Sequence, residues 1–406
     1  MRFHVVALPH TQTSPEHCAC AYTMKVYHFC RMMRSLGHEV IHYGCEGSTV
    51  DCTEHVQVIS REEQALLFGQ TDYKKHFYQI VWDIHQPYWA LTNSRTIVEL
   101  KRRQRPYDFL CIIAGTCHKP IADAVPDITP VEFGIGYRGV WAPYRVFESQ
   151  AHMHGVLSTG NSDPDGRWYD VVIPNSFDPA MFPLRRKKER FLLFVGRLIQ
   201  RKGISVAADI SRETGIPLYV AGQGAARYEP GLIVCEDGTE MRAPGLTFLG
   251  HIDVATRADV MGRAQALLVP TIYLEPFGGV AVEAQMCGTP AITTDYGAFP
   301  ETVEHGATGY RCHTLEQFAW AASHAHTLDP QYIHDRALAR YSIWNVRHMY
   351  QEYFNMLRDV QLGTGWSAPR DQRAELGWLG PYPTKTESPA HDGAATHRPS
   401  PHASAR

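Results

Sequence analysis

The sequence has no long hydrophobic run. Its apolar stretches, such as Ala266 to Pro270, are far too short to cross a bilayer as a helix. Charge of one sign is also missing: 39 Lys and Arg stand against 42 Asp and Glu, a net charge of -3. No global attraction to nucleic acid follows from that balance. There is no CxxC pair, and the ten cysteines are scattered without the spacing of a disulfide framework, so reduced and mostly buried thiols are expected. The cluster His17-Cys18-Ala19-Cys20 with Cys30 matches no zinc spacing. No G-x-G-x-x-G follows the first strand, which argues against a dinucleotide dehydrogenase. The opening residues, Met1 to Val6, read as a buried first strand with no signal peptide or transit segment, and a cytoplasmic protein is expected.

What is present is an alternation of strand and helix patterns over most of 406 residues, enough for two domains or slightly more. Such alternation implies an α/β fold with parallel sheets and crossover helices. In the first half, strands are expected at Phe3–Leu8, Glu39–Tyr43, Asp108–Ala114 and from Val171, with a helix from about Tyr22 to Leu36. The charged stretch Arg185 to Arg190 reads as an interdomain linker. In the second half the strands Phe191–Val195, Leu218–Ala221, Ala266–Val269 and Ala291–Thr294 alternate with helices Gly203–Thr214, Arg257–Ala264 and Gly278–Met286. In a doubly wound sheet of this kind a ligand sits at the carboxyl ends of the strands, where helix N-termini point their amides outward. Tyr341 to Val360 has the apolar spacing of a long amphipathic helix, and 363–406 is rich in Pro, Gly, Ala, Ser and His without periodicity, as expected of a disordered tail.

The strongest constellation is Glu275-Pro276-Phe277-Gly278-Gly279-Val280-Ala281-Val282-Glu283. One carboxylate precedes a helix, two glycines open it, and a second carboxylate lies on its second turn. Bare amides at such an opening let an anion approach closely. Glu283 can reach past that anion to a vicinal diol such as a ribose, and Glu275 faces whatever the phosphates carry. Acids are also favoured at a helix start for the dipole alone. Gly196-Arg197-Leu198-Ile199-Gln200-Arg201-Lys202-Gly203 follows a buried strand and opens another helix. There Arg197 offers a planar fork and Lys202 a point charge, together able to hold a diphosphate.

These segments, with Val220-Ala221-Gly222-Gln223-Gly224, Phe248-Leu249-Gly250-His251-Ile252, Gly288-Thr289-Pro290-Ala291-Ile292 and Pro300-Glu301-Thr302-Val303, resemble the retaining GT-B glycosyltransferases, specifically glycosyltransferase family 4. The resemblance implies two facing Rossmann-like domains with a cleft between them and a final helix crossing back onto the first. The domains implied are 1–176, a linker 177–190, 191–340 and the returning helix 341–362. It further implies transfer of a sugar from a UDP-, GDP- or ADP-type donor to a hydroxyl acceptor, a glycan, lipid or small glycoside, without cofactor or metal. Arg197 and Lys202 would bind the diphosphate, Glu283 the ribose, and Glu275 with the amides of Phe277, Gly278 and Gly279 the sugar and distal phosphate. Gly250-His251-Ile252 would frame the base, and His118 stands where the family places a histidine near the donor sugar. Where the family often has a glycine pair after the first strand, this chain has Pro9-His10-Thr11-Gln12-Thr13-Ser14. Two other readings stay open: a non-catalytic nucleotide-sugar-binding protein, and a GT-B epimerase or sugar-phosphate synthase.

Weaker candidates are His10, Glu132, the pair His152 and His154, and Asp163-Pro164-Asp165, whose composition is that of a turn. The basic runs Lys101-Arg102-Arg103…Arg105 and Arg185-Arg186-Lys187-Lys188 are candidates for peripheral contact with an anionic membrane face, against the plainer role of a helix end and a linker.

Overall fold

The computed structural model describes residues 1–69, 73, 76, 80–159 and 165–363. Asp163 and the tail from 364 onward lie outside the described residues. Seven strands, β1 (Arg2–Val6), β2 (Glu39–Cys45), β3 (Glu54–Ile59), β4 (Phe109–Ile112), β5 (Thr129–Ile135), β6 (Tyr144–Phe147) and β7 (Val171–Val172), form one parallel sheet in the order β3-β2-β1-β4-β5-β6-β7. The second half begins with β8 (Leu192–Val195) and β9 (Leu218–Ala221). A small antiparallel meander, β10 (Ala225–Glu229), β11 (Leu232–Cys235) and β12 (Glu240–Arg242), comes next. Then follow β13 (Thr247–Gly250), β14 (Ala266–Val269), β15 (Ala291–Thr294) and β16 (Gly309–Cys312). The second parallel sheet runs β13-β9-β8-β14-β15-β16. The strands β4 and β14 are buried along their whole length, as uninterrupted apolar runs covered by helices on both faces must be, and β15 is equally buried although it ends in Thr293 and Thr294. The meander was not expected from the sequence. Its first strand is largely exposed, so it shows neither the run of a buried strand nor the spacing of a helix.

The chain passes between the two halves twice. The first crossing lies between β7 and β8. The second is at Ser342, between the helix Pro330–Tyr341 and the helix Ile343–Gln361. The expected start of the final helix at Tyr341 is therefore corrected. Tyr341 packs in the second half's core, Ser342 is extended, and its hydroxyl caps the next helix at the Trp344 amide. The returning helix lays Ile343, Val346, Met349, Tyr350, Tyr353, Phe354 and Leu357 into the first half's core. Phe354 is fully buried, its ring 4.7 Å from that of Phe3 and 5.0 Å from that of Phe109. The two crossings are bonded together: Phe177 N donates to Tyr341 O at 2.8 Å, and Ile343 N to Phe177 O at 2.9 Å.

The Arg185–Arg190 stretch is not a free spacer. Lys188 Nζ donates to Gly262 O, Cys287 O and Thr289 Oγ1 at 2.9, 3.1 and 2.6 Å, and burial pushes its ammonium down to about 8. Its backbone is also tied, with Arg185 N on Cys287 O and Glu189 N on Arg263 O. The segment is thus strapped to the second half.

If the returning helix completes the first core, Phe354→Ala costs about 3–5 kcal/mol of stability, whereas Phe354→Leu costs under about 1.5 kcal/mol. Urea unfolding followed by intrinsic fluorescence should show the Ala variant's midpoint clearly lowered.

Candidate active site

A cleft of about 460 Å³ is lined by residues of both halves. On the second half it lies at the carboxyl ends of β8, β9 and β14, and the strand order reverses between β8 and β14. Two glycines shape that edge. Gly222 has a φ of +153°, and a Cβ there would collide with the Gly196 carbonyl, so the two turns interlock backbone to backbone. Arg197 follows Gly196 and lines the cleft. A short turn, Gln200–Lys202, then leads into the helix Ile204–Thr214.

Lys202 Nζ lies 2.7 Å from Glu275 Oε2, both side chains mostly buried. Tyr273 sits under this pair: Arg201 Cζ is 4.2 Å and Lys202 Nζ 4.9 Å from its ring centroid. Burial, the Glu275 charge and a hydrogen bond to Glu275 hold the Tyr273 phenol well above its ordinary value, so it remains a donor. After Glu275 the chain turns at Gly278, whose φ of +78° opens the helix Gly279–Met286. A Cβ at Gly278 would stand 2.6 Å from the Phe299 ring. The Phe277 side chain is buried against the rings of Phe177 and Tyr341, which leaves its backbone to the cleft. The first amides of a helix have no partner within it, and here they open on the cleft.

Glu283 lies four residues into that helix and accepts from Arg257 Nη2 at 2.9 Å. Both line the cleft, and Glu283 Oε2 and Arg257 Nε have no hydrogen-bond partner among the described residues. Burial pushes the Glu283 carboxyl above its ordinary value, and the Arg257 charge pulls it back down. This pair is a carboxylate and a guanidinium each with a free hydrogen-bonding position. Unmade bonds of that kind are costly when buried, and a ligand hydroxyl can satisfy them.

The cleft brings together Arg197, Lys202, Ile252, Glu275, Phe277, Gly278, Gly279 and Glu283 of the residues singled out in the sequence. It does not include His118. That ring is fully buried, packed edge-on against Trp89 at 5.5 Å, and both its nitrogens lack a partner among the described residues. Burial pushes it down to about 3. Glu132 is likewise inside: it accepts from the amides of Trp141 and Ala142, each at 2.8 Å, and pins that loop. His10 is buried beside Cys20, and the Pro9–Ser14 loop is folded into the first half's interior. His152 bonds the Tyr137 carbonyl. The basic run after Lys101 is neutralised locally, Arg103 pairing with Glu54 and Glu99 and Arg105 with Glu39. Arg185 pairs with Asp259. Among the described residues no three His, Cys, Asp or Glu side chains gather as a metal cluster, and no helix is long and apolar enough to cross a membrane.

Several lining residues were not legible in advance. Arg257 stands on a different helix from its partner Glu283, and Tyr273 carries no local signal beyond standing two residues before Glu275. On the first half, Tyr22 and Lys25 come from the helix Ala21–Ser35, and Glu148 from the end of β6. Lys25 Nζ is 2.5 Å from Glu148 Oε2, and Asn175 Nδ2 donates to the same carboxylate at 2.7 Å. The halves also touch directly. Ser149 Oγ donates to Pro276 O at 2.6 Å, and Glu301 accepts from the amides of Gln150 and Ala151 at 2.9 and 2.8 Å.

Comparison with known proteins bears on this geometry. Residues 178–340 match the family model of the glycosyl transferases group 1. The chain is 33% identical over 168 residues to the glycogen synthase of Mycobacterium tuberculosis, covering 39% of this chain and 40% of that protein. It is 35% identical over 146 residues to the D-inositol 3-phosphate glycosyltransferase of Mycobacterium bovis, covering 34% of this chain and 30% of that protein. The matches thus span less than half the length of these curated relatives. Among solved structures, a glycosyltransferase involved in avilamycin A biosynthesis superposes with a TM-score of 0.62 at 19% identity, over 89% of this chain and 98% of that one. The sucrose-phosphate synthase of Thermosynechococcus elongatus does so with a TM-score of 0.62 at 14% identity, over 88% and 99%. The Anabaena HepE protein, solved with UDP and glucose, gives 0.58 at 14% identity, over 87% and 99%. At these identities the likeness is one of fold, and the fold is GT-B.

The burial of His118 has a measurable consequence. Its ordinary value is 6.5 and its folded value about 3, so between these the unfolded chain binds a proton that the folded chain refuses. Stability therefore falls as pH drops through that window, by up to about 1.4 kcal/mol per pH unit for one such group. Urea titrations from pH 6.5 down to about pH 4 should show His118→Phe with a shallower loss than the wild type, by about that slope.

Proposed function

We propose that this chain transfers a glycosyl group from a nucleoside-diphosphate sugar to an acceptor hydroxyl, with retention at the anomeric carbon and without a metal ion, in the manner of glycosyltransferase family 4. The observation that carries the reading is the make-up of the second half's wall. Two cations, Arg197 and Lys202, share the cleft with a helix N-terminus, one carboxylate before that helix and another four residues into it. Four residues of helix advance about 6 Å, which separates a diol site at Glu283 from the phosphate site at the amides. Glu283, with the open bonding positions of its pair with Arg257, suits a ribose. Arg197, Lys202 and the amides suit the diphosphate, and Glu275 suits the hydroxyls of the sugar. The match of residues 178–340 to the group 1 family model supports the same reading, as does the presence of UDP and glucose in a protein of the same fold.

On this reading attack occurs on the same face as departure, through an oxocarbenium-like state. Arg197, Lys202 and the helix amides stabilise the leaving diphosphate, and one of its oxygens takes the acceptor's proton. Closure of the halves excludes water and limits donor hydrolysis.

Thermal-shift screening against UDP, GDP, ADP and dTDP identifies the nucleotide, because a bound ligand raises the melting temperature by mass action. With the matching sugar donors, Arg197→Ala and Glu275→Gln are expected to lower kcat/KM by about a hundred- to a thousandfold, and NMR of the product gives its anomeric configuration. Nucleotide binding without turnover on any donor would instead mark a non-catalytic binding protein. Conversion of the free nucleotide sugar to its epimer would sink the transferase reading.

A further inference from the structure

Glu283 alone is poorly placed to hold a ribose. A carboxylate accepts from both hydroxyls of a vicinal diol only as the anion, when neither oxygen carries a proton. The position of Glu283 in the helix Gly279–Met286 takes it out of water, and burial pushes its carboxyl above the ordinary value. One neighbour opposes this. Arg257 Nη2 donates to Glu283 Oε1 at 2.9 Å, and the guanidinium pulls the carboxyl back down. The two side chains are 10% and 12% exposed, so water does little to screen them from each other.

Other groups near the carboxylate add no charge. Cys287, four residues on at the end of the same helix, is pushed up to about 12 by burial. Cys18, facing the pair from the first half, is also raised by burial, against the pull of Arg257. Tyr73, near Arg257, is held well above its ordinary value by burial. All three are neutral at pH 7, so among the described residues the charge facing Glu283 is that of Arg257.

Arg257 is itself held from two sides. It stands on the helix Val254–Arg263, whose cap Asp253 accepts from the Thr256 amide at 2.7 Å. Its guanidinium reaches the Glu283 carboxylate within the second half and the Cys18 thiol of the first. Cys18 closes the turn Pro15–His17, and the next amide, Ala19 N, donates to Tyr73 Oη at 3.0 Å. The centre of the Tyr73 ring lies 4.8 Å from that of His17 in its own half and 5.8 Å from that of His251 in the other. Cys18 and Arg257 thus meet where the first half rests on the wall that carries Glu283, and all three line the cleft.

We propose that Arg257 is the positioning residue of the nucleotide site: it fixes the Glu283 carboxylate for the two ribose hydroxyls and, through Cys18, makes that grip depend on how the first half is seated. The inference rests on the transferase reading above and assigns the residue that links donor binding to the meeting of the halves. A first half that moves away takes its contact from Arg257 and loosens the hold on the ribose. By reciprocity, a bound ribose favours the seated first half.

The test measures the affinity of the full chain for the best-binding of UDP, GDP and ADP by calorimetry between pH 6 and pH 8, with thermal melts to show that each variant is folded. Arg257→Met removes the charge at similar length. Burial then acts on Glu283 unopposed, and protonation grows as pH falls, so the ratio of variant to wild-type affinity should drop at least about threefold from pH 8 to pH 6. Taking the ratio cancels the titration of the nucleotide's own phosphates. Arg257→Lys keeps the charge and should restore the wild-type pH dependence. The 2′-deoxynucleotide of the same base has lost one hydroxyl of the diol, so Arg257→Met should cost it less than it costs the ribonucleotide. Cys18→Ala should weaken the ribonucleotide about two- to fivefold, Cys18→Ser should recover most of that loss, and Cys18→Ala on top of Arg257→Met should change nothing further. If Arg257→Met does not fold, the pair Arg257→Met with Glu283→Gln leaves no buried charge and serves as the background for the Cys18 comparison. A ratio independent of pH, an Arg257→Lys variant with the Met variant's profile, an equal loss for both nucleotides, or additive effects at Cys18 and Arg257 would each overturn the proposal. A wild-type chain that binds none of the nucleotides fails earlier, at the transferase reading itself.

Discussion

Everything said of the cleft depends on how the two halves are held against each other, and one contact does most to fix that. The N-terminus of the helix Gln150–Leu157, on the first half, receives the Glu301 carboxylate of the second through two backbone amides. A carboxylate at that position gains from charge-assisted hydrogen bonds and from the helix dipole together. The residue capping the same helix, Ser149, accepts from the His152 amide and donates to Pro276 O. Pro276 is the neighbour of Glu275, so the contact that joins the halves also reaches the turn carrying the candidate sugar-binding carboxylate. The position of that turn and the separation of the walls are thus set by one cluster of bonds.

Within the cleft the charges are arranged in pairs. Lys202 answers Glu275, Arg257 answers Glu283, and Lys25 answers Glu148. Each pair is largely removed from water, so its desolvation is offset only because a partner is close. The pairs differ in what they leave over. Lys25 is fully committed, whereas Glu283 Oε2 and Arg257 Nε are buried without a hydrogen-bond partner among the described residues.

The second half's sheet and the segments around Arg197 and Glu275 were legible because each is local. A buried strand, a glycine turn and a helix opening follow one another within about ten residues, and the motif residues inherit their place from that order. The Lys188 strap and the meander from β10 to β12 were not legible. A run of Arg and Lys reads as solvated unless the carbonyls that receive one of its ammonium groups are known, and those lie about 75 to 100 residues away. The same holds for Arg257 with Glu283 and for Lys25 with Glu148: neither member carries a local mark of its partner. His118 shows the converse. A position read from a motif said where the residue stands along the chain, but the rings of the helix Pro87–Arg103 decide that its side chain faces inward.

The chain's two passages between the halves, at Phe177 and at Ser342, are stitched to each other by a pair of backbone hydrogen bonds. Two covalent strands bound at one place behave as a single pin. The halves can swing about such a pin but cannot slide past one another, since sliding would have to part the strands. Because the Lys188 strap fastens the first strand to the second half directly after the pin, little slack is left to soften it. Phe177 itself lines the cleft, so the place where the two passages are joined is also part of the site's wall.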